Sequence, residues 1–240
     1  MSAVNLVPSH TRPEIEYPES DGQPMAETDI HRDEMIDAIV TLKEHYRDES
    51  QVYVAGNLLM YYEEGNPNKS VAPDVFVVFG APKHQRRTYK IWEEGTGPDV
   101  VIEVTSTKTR RQDREEKRPL YEALAVPEFF LFDPLGEYLK PPLQGFRLLG
   151  DSYAPLKPEP FDRGWRLQSE RLHLELRAED GHLRFFDPEA GHYLLSPSEE
   201  AAARRKAEAR AVQEAEARRQ AEAEVERLRA ELRRLRGEPD

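Results

Sequence analysis

The chain has 240 residues, enough for one domain of ordinary size with an appendage, and 38% of them are hydrophobic, which excludes global disorder. It contains no cysteine, which excludes disulfides and thiolate metal sites and makes a reducing cytoplasm the expected compartment. The net charge of -12 argues against tight non-specific binding to DNA, because proteins that bind in this way are usually basic.

The acidic excess lies outside the C-terminal tail. Residues 196–240 carry eleven basic and eleven acidic residues, so the preceding part of the chain holds the whole excess. Clustered carboxylates are what a divalent-metal site needs, and the charge therefore does not count against such a site. No run of about 18 apolar residues occurs, so no membrane span is expected.

The first element predicted is a helix over about residues 29–47. Residues 1–24 precede it and are predicted to be a disordered lead-in, because they are rich in proline and acidic residues. Thr28 is a good N-cap, and apolar residues then recur at helical spacing. His31 falls on the same inward face, either as a core or capping residue or as a group that orients water or metal.

Strands and a second helix follow. Residues with β-branched and aromatic side chains predict strands at Val52–Tyr62, Val71–Phe79, Asp99–Val104 and Phe129–Phe132. The helix is predicted within about 109–125, kinked or restarted at Pro119, because proline lacks the backbone donor. This order is typical of an α/β fold, and residues 136–195 then change to short strands and turns, which predicts a β-rich extension on the core.

The tail, residues 196–240, is predicted to be a long helix rich in alanine, glutamate and arginine. Val225, Leu228, Leu232 and Leu235 recur at steps of three, four and three, the spacing of a coiled-coil seam. Upstream seam positions are mostly alanine or charged. Two interpretations stay open: a solvated single helix, and a coiled coil that joins copies of this chain or binds another partner.

Carboxylates stand at the predicted strands. Asp74 lies early in the second strand, and Glu103 lies in the third, on the same face as Asp99, because alternate residues of a strand share a face. An unpaired buried carboxylate is costly, and a metal ion would offset that cost. Mg²⁺, with Mn²⁺ as the alternative ion, takes one or two carboxylates with water and phosphate, so Asp74 and Glu103 are predicted metal ligands. Acids that face solvent or cap turns are the alternative, above all for Asp99.

Asp113, Lys117 and Tyr121 are spaced by four residues, which places them on one face of the predicted second helix. A lysine ammonium beside a metal could lower the pKa of an attacking water or stabilise charge in a transition state. An ordinary surface ion pair between Asp113 and Lys117 has the same spacing, so the spacing alone leaves both interpretations open.

These residues resemble the Uma family, bacterial restriction endonucleases of the PD-(D/E)XK superfamily. The resemblance covers about residues 28–135 and is carried by Ala72-Pro73-Asp74-Val75, Pro98-Asp99-Val100-Val101-Ile102-Glu103-Val104-Thr105-Ser106, Asp113-Arg114-Glu115-Glu116-Lys117, Tyr121 and Val126-Pro127-Glu128-Phe129-Phe130-Leu131-Phe132-Asp133-Pro134. It implies a restriction-endonuclease-like fold over residues 25–135, in which helices flank a central mixed sheet and Mg²⁺ occupies the site. The β-rich extension and the tail also resemble an architecture common in the family.

The resemblance implies roles for single residues. Asp74 corresponds to the acid of the first motif strand and Glu103 to the acid of the (D/E)XK element. Thr105 stands where the superfamily has its lysine, which makes Lys117 the implied substitute, provided that its helix packs beside the strand. His31 falls where the superfamily often has a glutamate.

Two functions from different classes follow. The first is a metal-dependent endonuclease that hydrolyses DNA phosphodiester bonds, favoured by the retained acids and Lys117. The second is a catalytically weak or inactive nuclease-fold module that acts in oligomer or partner assembly. The net negative charge and the missing lysine at position 105 favour the second function.

Overall fold

The computed structural model describes residues 15–20, 22, 28–106 and 109–236, without the side chains of Arg110 and Leu235. Most of the predicted lead-in, together with Lys108, lies outside the described residues. The chain divides into two compact units, of which the first ends at Leu194 and the second begins at Leu195.

The first unit contains four α-helices, one π turn and fourteen strands in its described part. The order begins with α1 (Asp29–His45), β1 (Val52–Ala55), β2 (Met60–Tyr61), β3 (Ser70–Val71), β4 (Val75–Phe79), β5 (Tyr89–Lys90), α2 (Ile91–Glu94) and β6 (Val100–Val104). It continues with α3 (Arg110–Gln112), the π turn (Asp113–Lys117), α4 (Arg118–Ala123), β7 (Glu128–Phe132), β8 (Leu143–Leu149) and β9 (Ser152–Pro155). Its last strands are β10 (Glu159–Phe161), β11 (Gly164–Ser169), β12 (Leu174–Glu179), β13 (His182–Asp187) and β14 (His192–Tyr193).

A six-stranded mixed sheet in the order β1-β4-β6-β7-β8-β9 forms the centre of the unit. Within this sheet β6 and β7 are the parallel pair, joined by the crossover that contains α3, the π turn and α4, and the other described pairs of the sheet are antiparallel. The predicted α/β class with a central mixed sheet is confirmed. Strands β8 and β9 continue this sheet, so it extends beyond residue 135, and β10 to β14 form a second antiparallel sheet.

Both faces of the central sheet are covered by apolar side chains. On one face, Met35 and Leu42 of α1 pack with the sheet and with Leu174 and Leu176 of β12. The other face packs against Tyr121 of α4 and against the small sheet formed by β3, β2 and β5. Helices therefore flank the central sheet on both sides, as predicted.

The predicted first helix is confirmed, and so is its cap. The side chain of Thr28 accepts a hydrogen bond of 3.3 Å from the backbone N–H of His31. His31 is buried at the start of the inward face. The cap therefore fixes the position from which this imidazole points towards the central sheet.

The single strand predicted at Val52–Tyr62 is wrong, because the chain leaves the central sheet after β1. A Cβ on Gly56 would lie 1.9 Å from the carbonyl oxygen of Asp74, so the two backbones meet without room for a side chain. Asn57 then adopts a φ of 48° and donates its N–H to Pro73, which itself interrupts the strand predicted at Val71–Phe79. As a result β2 and β3 lie in the small sheet.

The second helix restarts before Pro119, as predicted, and it does so through a π turn. The N–H of Arg118 donates to the carbonyl of Asp113, five residues back. Pro119 has no backbone N–H, so the α-helical hydrogen-bond pattern would be interrupted at this residue in any case. The change from π to α hydrogen bonding next to Pro119 therefore leaves no additional N–H group without an acceptor.

The second unit is a helix, α5 (Pro197–Arg236), which confirms the helix predicted for the tail. Its surface carries ion pairs within the helix, such as Arg210 with Glu214 and Arg218 with Glu222. Nowhere in the described part of the chain is there a helix with both the length and the apolar character that crossing a membrane requires.

Gly56→Ala should destabilise the protein, because the added methyl group meets backbone atoms that cannot move independently. We expect the free energy of unfolding to fall by about 1–3 kcal/mol or more, the cost of overpacking, as measured by chemical denaturation. Gly97→Ala is the matched control, since its new Cβ would find its nearest neighbour, Ile91 Cδ1, at 3.8 Å. Equal stability of the two variants would contradict the close approach at Gly56.

Candidate active site

The two predicted metal ligands face each other across neighbouring strands. Strand β4 pairs with β6 so that Val75 is opposite Ile102, and one further step of this register places Asp74 opposite Glu103. Oδ2 of Asp74 accepts the backbone N–H of Val104 at 2.8 Å and lies 3.2 Å from Nε2 of His31. The strand pairing and the capped helix α1 thus hold this carboxylate from two sides.

Glu103 is completely buried, and the second helix supplies both of its side-chain partners. Lys117 Nζ donates to Oε2 at 2.7 Å, and the Tyr121 hydroxyl donates to Oε1 at 2.6 Å. The condition stated for Lys117, that its helix should pack beside this strand, is therefore met. Position 105 lacks a lysine, but an ammonium group reaches the strand acid from the helix.

Asp113 brings a third carboxylate to the same lysine. Its Oδ1 lies 3.4 Å from Lys117 Nζ, and the side chain is buried. Neither of its oxygens has a hydrogen-bond donor in suitable geometry among the described residues. The pair formed by Asp113 and Lys117 is therefore an interior one, and the alternative of an ordinary surface ion pair is wrong.

The π turn aligns these side chains. On an unbroken α-helix each step of four residues would advance about 40° beyond a full turn, so three side chains at this spacing would drift around the axis. The wider π turn between Asp113 and Lys117 opposes that drift. Lys117 is the last residue of the π turn and Tyr121 follows one step later in α4, and both reach the same carboxylate, Glu103.

The charges shift the pKa values of the group. Burial alone would lower the pKa of Lys117, but the carboxylates of Glu103, Asp74 and Asp113 raise it above its ordinary value, which keeps the ammonium protonated. Burial raises the pKa of Glu103 well above its ordinary value, and the charges of Asp74 and Asp113 act in the same direction. Burial likewise raises the pKa of Asp113.

Asp74 behaves differently from the other two acids. Burial acts to raise its pKa, but the hydrogen bond with His31 and the positive charge of Lys117 outweigh burial, so the pKa falls below its ordinary value. Asp74 is accordingly the acid of the three that is held in its charged form.

Other buried acids in the first unit show how a carboxylate is satisfied by protein alone. Glu128 accepts from the side chains of Arg147 and Ser169 and from two backbone N–H groups. Asp133 accepts three backbone N–H groups of the following turn. Around Lys117, by contrast, Glu103 and Asp113 share one ammonium, and neither oxygen of Asp113 has a hydrogen-bond donor in suitable geometry among the described residues.

A divalent cation of the Mg²⁺ type fits the chemistry of this cluster. The donors are hard carboxylate oxygens, and Asp74 and Glu103 provide the two carboxylates that such an ion commonly uses. Across the described residues, no three side chains of histidine, aspartate or glutamate are placed to hold a metal by themselves. An ion here would therefore take its remaining ligands from water or from a substrate phosphate.

Asp99 is not brought to the cluster. It precedes the first residue of β6, whereas Glu103 lies near the other end of that strand. Its Oδ2 accepts the N–H of Phe79 at 2.7 Å, and its Oδ1 pairs with Arg171. The prediction that Asp99 supports the site is corrected accordingly: this acid caps a strand end, as the alternative interpretation had it.

Thr105 enters the sequence analysis only as the position where the superfamily has a lysine, and its own hydroxyl is a feature that the sequence analysis misses. Oγ1 is buried and has no hydrogen-bond partner among the described residues. The signal was present in the sequence, because Thr105 is two residues from Glu103 and shares its face if the strand geometry continues.

Comparison with known proteins identifies the family. Residues 4–180 match the family model Uma2, described as "Putative restriction endonuclease". The chain belongs to the Uma2 family. The match extends well beyond residues 28–135 on both sides, so it includes much of the second sheet as well as the motifs that first suggested the resemblance.

A solved structure is also similar to this Uma2 protein. It is described as a putative nuclease belonging to DUF820, from Anabaena variabilis ATCC 29413, and has 15% sequence identity and a TM-score of 0.43. The similarity covers 66% of this chain and 82% of that chain. Comparison with curated proteins gave no match.

Tyr121→Phe should leave Oε1 of Glu103 without its donor in a buried setting. We expect the free energy of unfolding to fall by about 1–3 kcal/mol, because an unsatisfied buried acceptor bears its full desolvation cost. Tyr62→Phe is the control, since Tyr62 is only partly buried. Chemical denaturation checks the difference, and a Tyr121→Phe variant as stable as wild type would show that this hydrogen bond contributes little.

Proposed function

We propose that this Uma2 protein is a metal-dependent endonuclease that hydrolyses DNA phosphodiester bonds. The observation that carries the proposal is the meeting of three buried acids with one ammonium: Lys117 contacts Glu103 and Asp113, and Asp74 lies opposite Glu103 on the neighbouring strand. The oxygens of Asp113 have no hydrogen-bond donor among the described residues, whereas Glu128 and Asp133 are satisfied by protein donors, so this cluster favours a site for a cation.

Asp74 and Glu103 would hold Mg²⁺ or Mn²⁺ in this function. A bound divalent ion supplies positive charge that polarises a phosphodiester and favours ionisation of water. His31 and the Val104 N–H orient Asp74, and Tyr121 orients Glu103, so both acids are held before substrate arrives.

Lys117 would take the part of the lysine that is missing at position 105. The charges of Glu103, Asp74 and Asp113 outweigh burial and raise its pKa, so the ammonium stays protonated, and a fixed positive charge would stabilise the negative charge that develops on a phosphate in the transition state. Asp113 lies one helical step before Lys117 in the sequence and contacts the same ammonium. It is assigned a positioning role.

A DNA substrate is supported by the family description and by the outer surface of the same helical segment. Arg111, Arg114 and Arg118 line a cleft together with Glu115 and Tyr138, and Glu115 pairs with Arg111. The net charge of the chain is acidic, so this local group of arginines, in the segment that carries Lys117, is where a phosphate backbone would be attracted. These arginines would position a backbone without reading its sequence.

A catalytically weak or inactive module is the second candidate function. The observation that favours it is the complete burial of Glu103, with both oxygens already accepting hydrogen bonds from Lys117 and Tyr121. A metal would have to share these oxygens with their present donors. The two functions differ in whether metal binds and in whether nucleic acid is cleaved.

Mg²⁺ or Mn²⁺ at millimolar concentration and low salt should raise the melting temperature by a few degrees, because a ligand that binds only the native state stabilises it. The double variant Asp74→Asn with Glu103→Gln keeps the side-chain sizes and should lose the response. Asp99→Asn is the control and should keep it, since Asp99 caps a distant strand end. Thermal unfolding measured with metal and with EDTA decides. Identical wild-type curves in both conditions would count against a metal site.

Cleavage of plasmid and single-stranded DNA, with RNA in parallel, tests the reaction itself in Mg²⁺, Mn²⁺ or EDTA. Asp74→Asn and Glu103→Gln should lose activity together with metal binding. Lys117→Met should keep most of the thermal response to metal and lower the rate by about 10²-fold or more, as removal of other transition-state donors does.

Lys108→Met is the matched control, because Lys108 follows the same strand in sequence and has no assigned role. A Lys117→Met variant that cleaves at the wild-type rate, beside an inactive Lys108→Met variant, would transfer the role to Lys108. A wild-type protein that binds metal but cleaves no nucleic acid would establish the inactive module. Cleavage of RNA alone would correct the substrate class and leave the site assignment in place.

A further inference from the structure

The C-terminal part of α5 carries an apolar stripe that the helix itself leaves open. Val225, Leu228 and Leu232 are 46%, 47% and 49% exposed, and Leu235 continues their spacing in the sequence. Steps of three and four residues place such side chains along one seam, at the a and d positions of a heptad. The second unit thus has an exposed apolar face of the kind that another helix covers in a coiled coil.

Charges beside the seam indicate which chain that is. With Val225 and Leu232 at a positions, the two g positions are Glu224 and Glu231, and the two e positions are Arg229 and Arg236. Each g position is acidic and each e position is basic. Side chains at e and g lie next to the seam and determine partner and orientation in a coiled coil.

We infer that residues 221–236 bind the same segment of a second copy of this chain, as a parallel coiled coil in register. In this arrangement a g residue of one helix faces the e residue of the following heptad on the other. Glu224 then faces the partner's Arg229, and Glu231 faces the partner's Arg236, so every flanking pair is attractive. The proposal does not depend on the nuclease function.

An antiparallel pair of the same helices would be penalised. It would place g opposite g and e opposite e, so glutamates would face glutamates and arginines would face arginines. Like charges at these positions disfavour association, and the flanking residues therefore select the parallel orientation. In the single chain, Glu224 pairs with Arg227 and Arg229 pairs with Glu226, but exposed pairs of this kind are weak and exchange at little cost.

The association should be modest. Only two heptads have branched apolar residues at the seam, and the preceding d positions, Ala221 and Glu214, offer little or nothing to bury. A seam of two heptads buries little apolar surface, so we expect dimers at micromolar rather than nanomolar concentrations of chain.

The absence of cysteine permits a direct test on the full-length protein. Ala221→Cys and Leu228→Cys each place one thiol at a d position, and a parallel pair in register brings identical positions together. Both variants should form disulfide-linked dimers under mild oxidation, seen by non-reducing electrophoresis. Ala223→Cys and Ala230→Cys, at the outward f positions, are the matched controls and should stay monomeric.

Each other outcome would overturn the proposal. Linking of the f-position controls to the same extent would mean random collision, and linking at neither d position would mean no self-association. Linking at one d position only, or only when the two d-position variants are mixed, would mean a shifted or antiparallel pair.

Exchange of the flanking charges tests the orientation by a second route. Arg229→Glu with Arg236→Glu should weaken self-association by about 10-fold or more in light scattering, because attractive pairs become repulsive. The reverse variant, Glu224→Arg with Glu231→Arg, should also be weakened. An equal mixture of the two should recover dimers. Failure of the mixture to associate, with wild type dimeric, would refute the assigned pairing.

Discussion

The first unit brings three buried acids and one ammonium group together in its interior, and the ammonium of Lys117 contacts two of those acids. Removing charges from water is costly, and the cost is offset only where partners are well placed. Lys117 donates to Glu103 and lies beside Asp113, while His31 and a backbone N–H hold Asp74 from the opposite side. The helix cap, the strand register and the π turn each place one of these partners. Together they hold a cluster that no single element could form.

The topology explains why residues distant in sequence meet here. Antiparallel pairing of β4 with β6 sets Asp74 opposite Glu103, and a shift by one residue would turn one of them to the other face. The parallel pairing of β6 with β7 requires a crossover, and that crossover carries Lys117 and Tyr121 back over the strand that holds Glu103. The site is therefore a consequence of one register and one crossover.

Local sequence pattern was sufficient to predict several of these elements and much of the candidate site. Helical periodicity located α1, and the four-residue spacing of Asp113, Lys117 and Tyr121 placed them together, because both signals are contained in neighbouring residues. The break after β1 depends on the contact between Gly56 and the Asp74 carbonyl, a tertiary event that β-propensity does not encode. Asp99 was misassigned for a similar reason: strand alternation gives the face on which a side chain lies but not its partner, and Arg171 comes from far along the chain.

The same cluster of buried acids connects stability to the proposed chemistry. Burial and mutual repulsion raise the pKa of Glu103 and Asp113, so a proton is one cation that relieves the cluster. A divalent metal is another, and it would act on the same oxygens, so protons and metal would compete for them. Lys117 is shared between Glu103 and Asp113, and it donates no hydrogen bond in suitable geometry to either oxygen of Asp113. Replacing buried charged groups with apolar residues of similar volume is often neutral or stabilising, so stability alone does not require these acids. The presence of these buried acids has a physical rationale where the functional state includes a further positive charge, from a metal ion or from the counter-ion of a reacting phosphate.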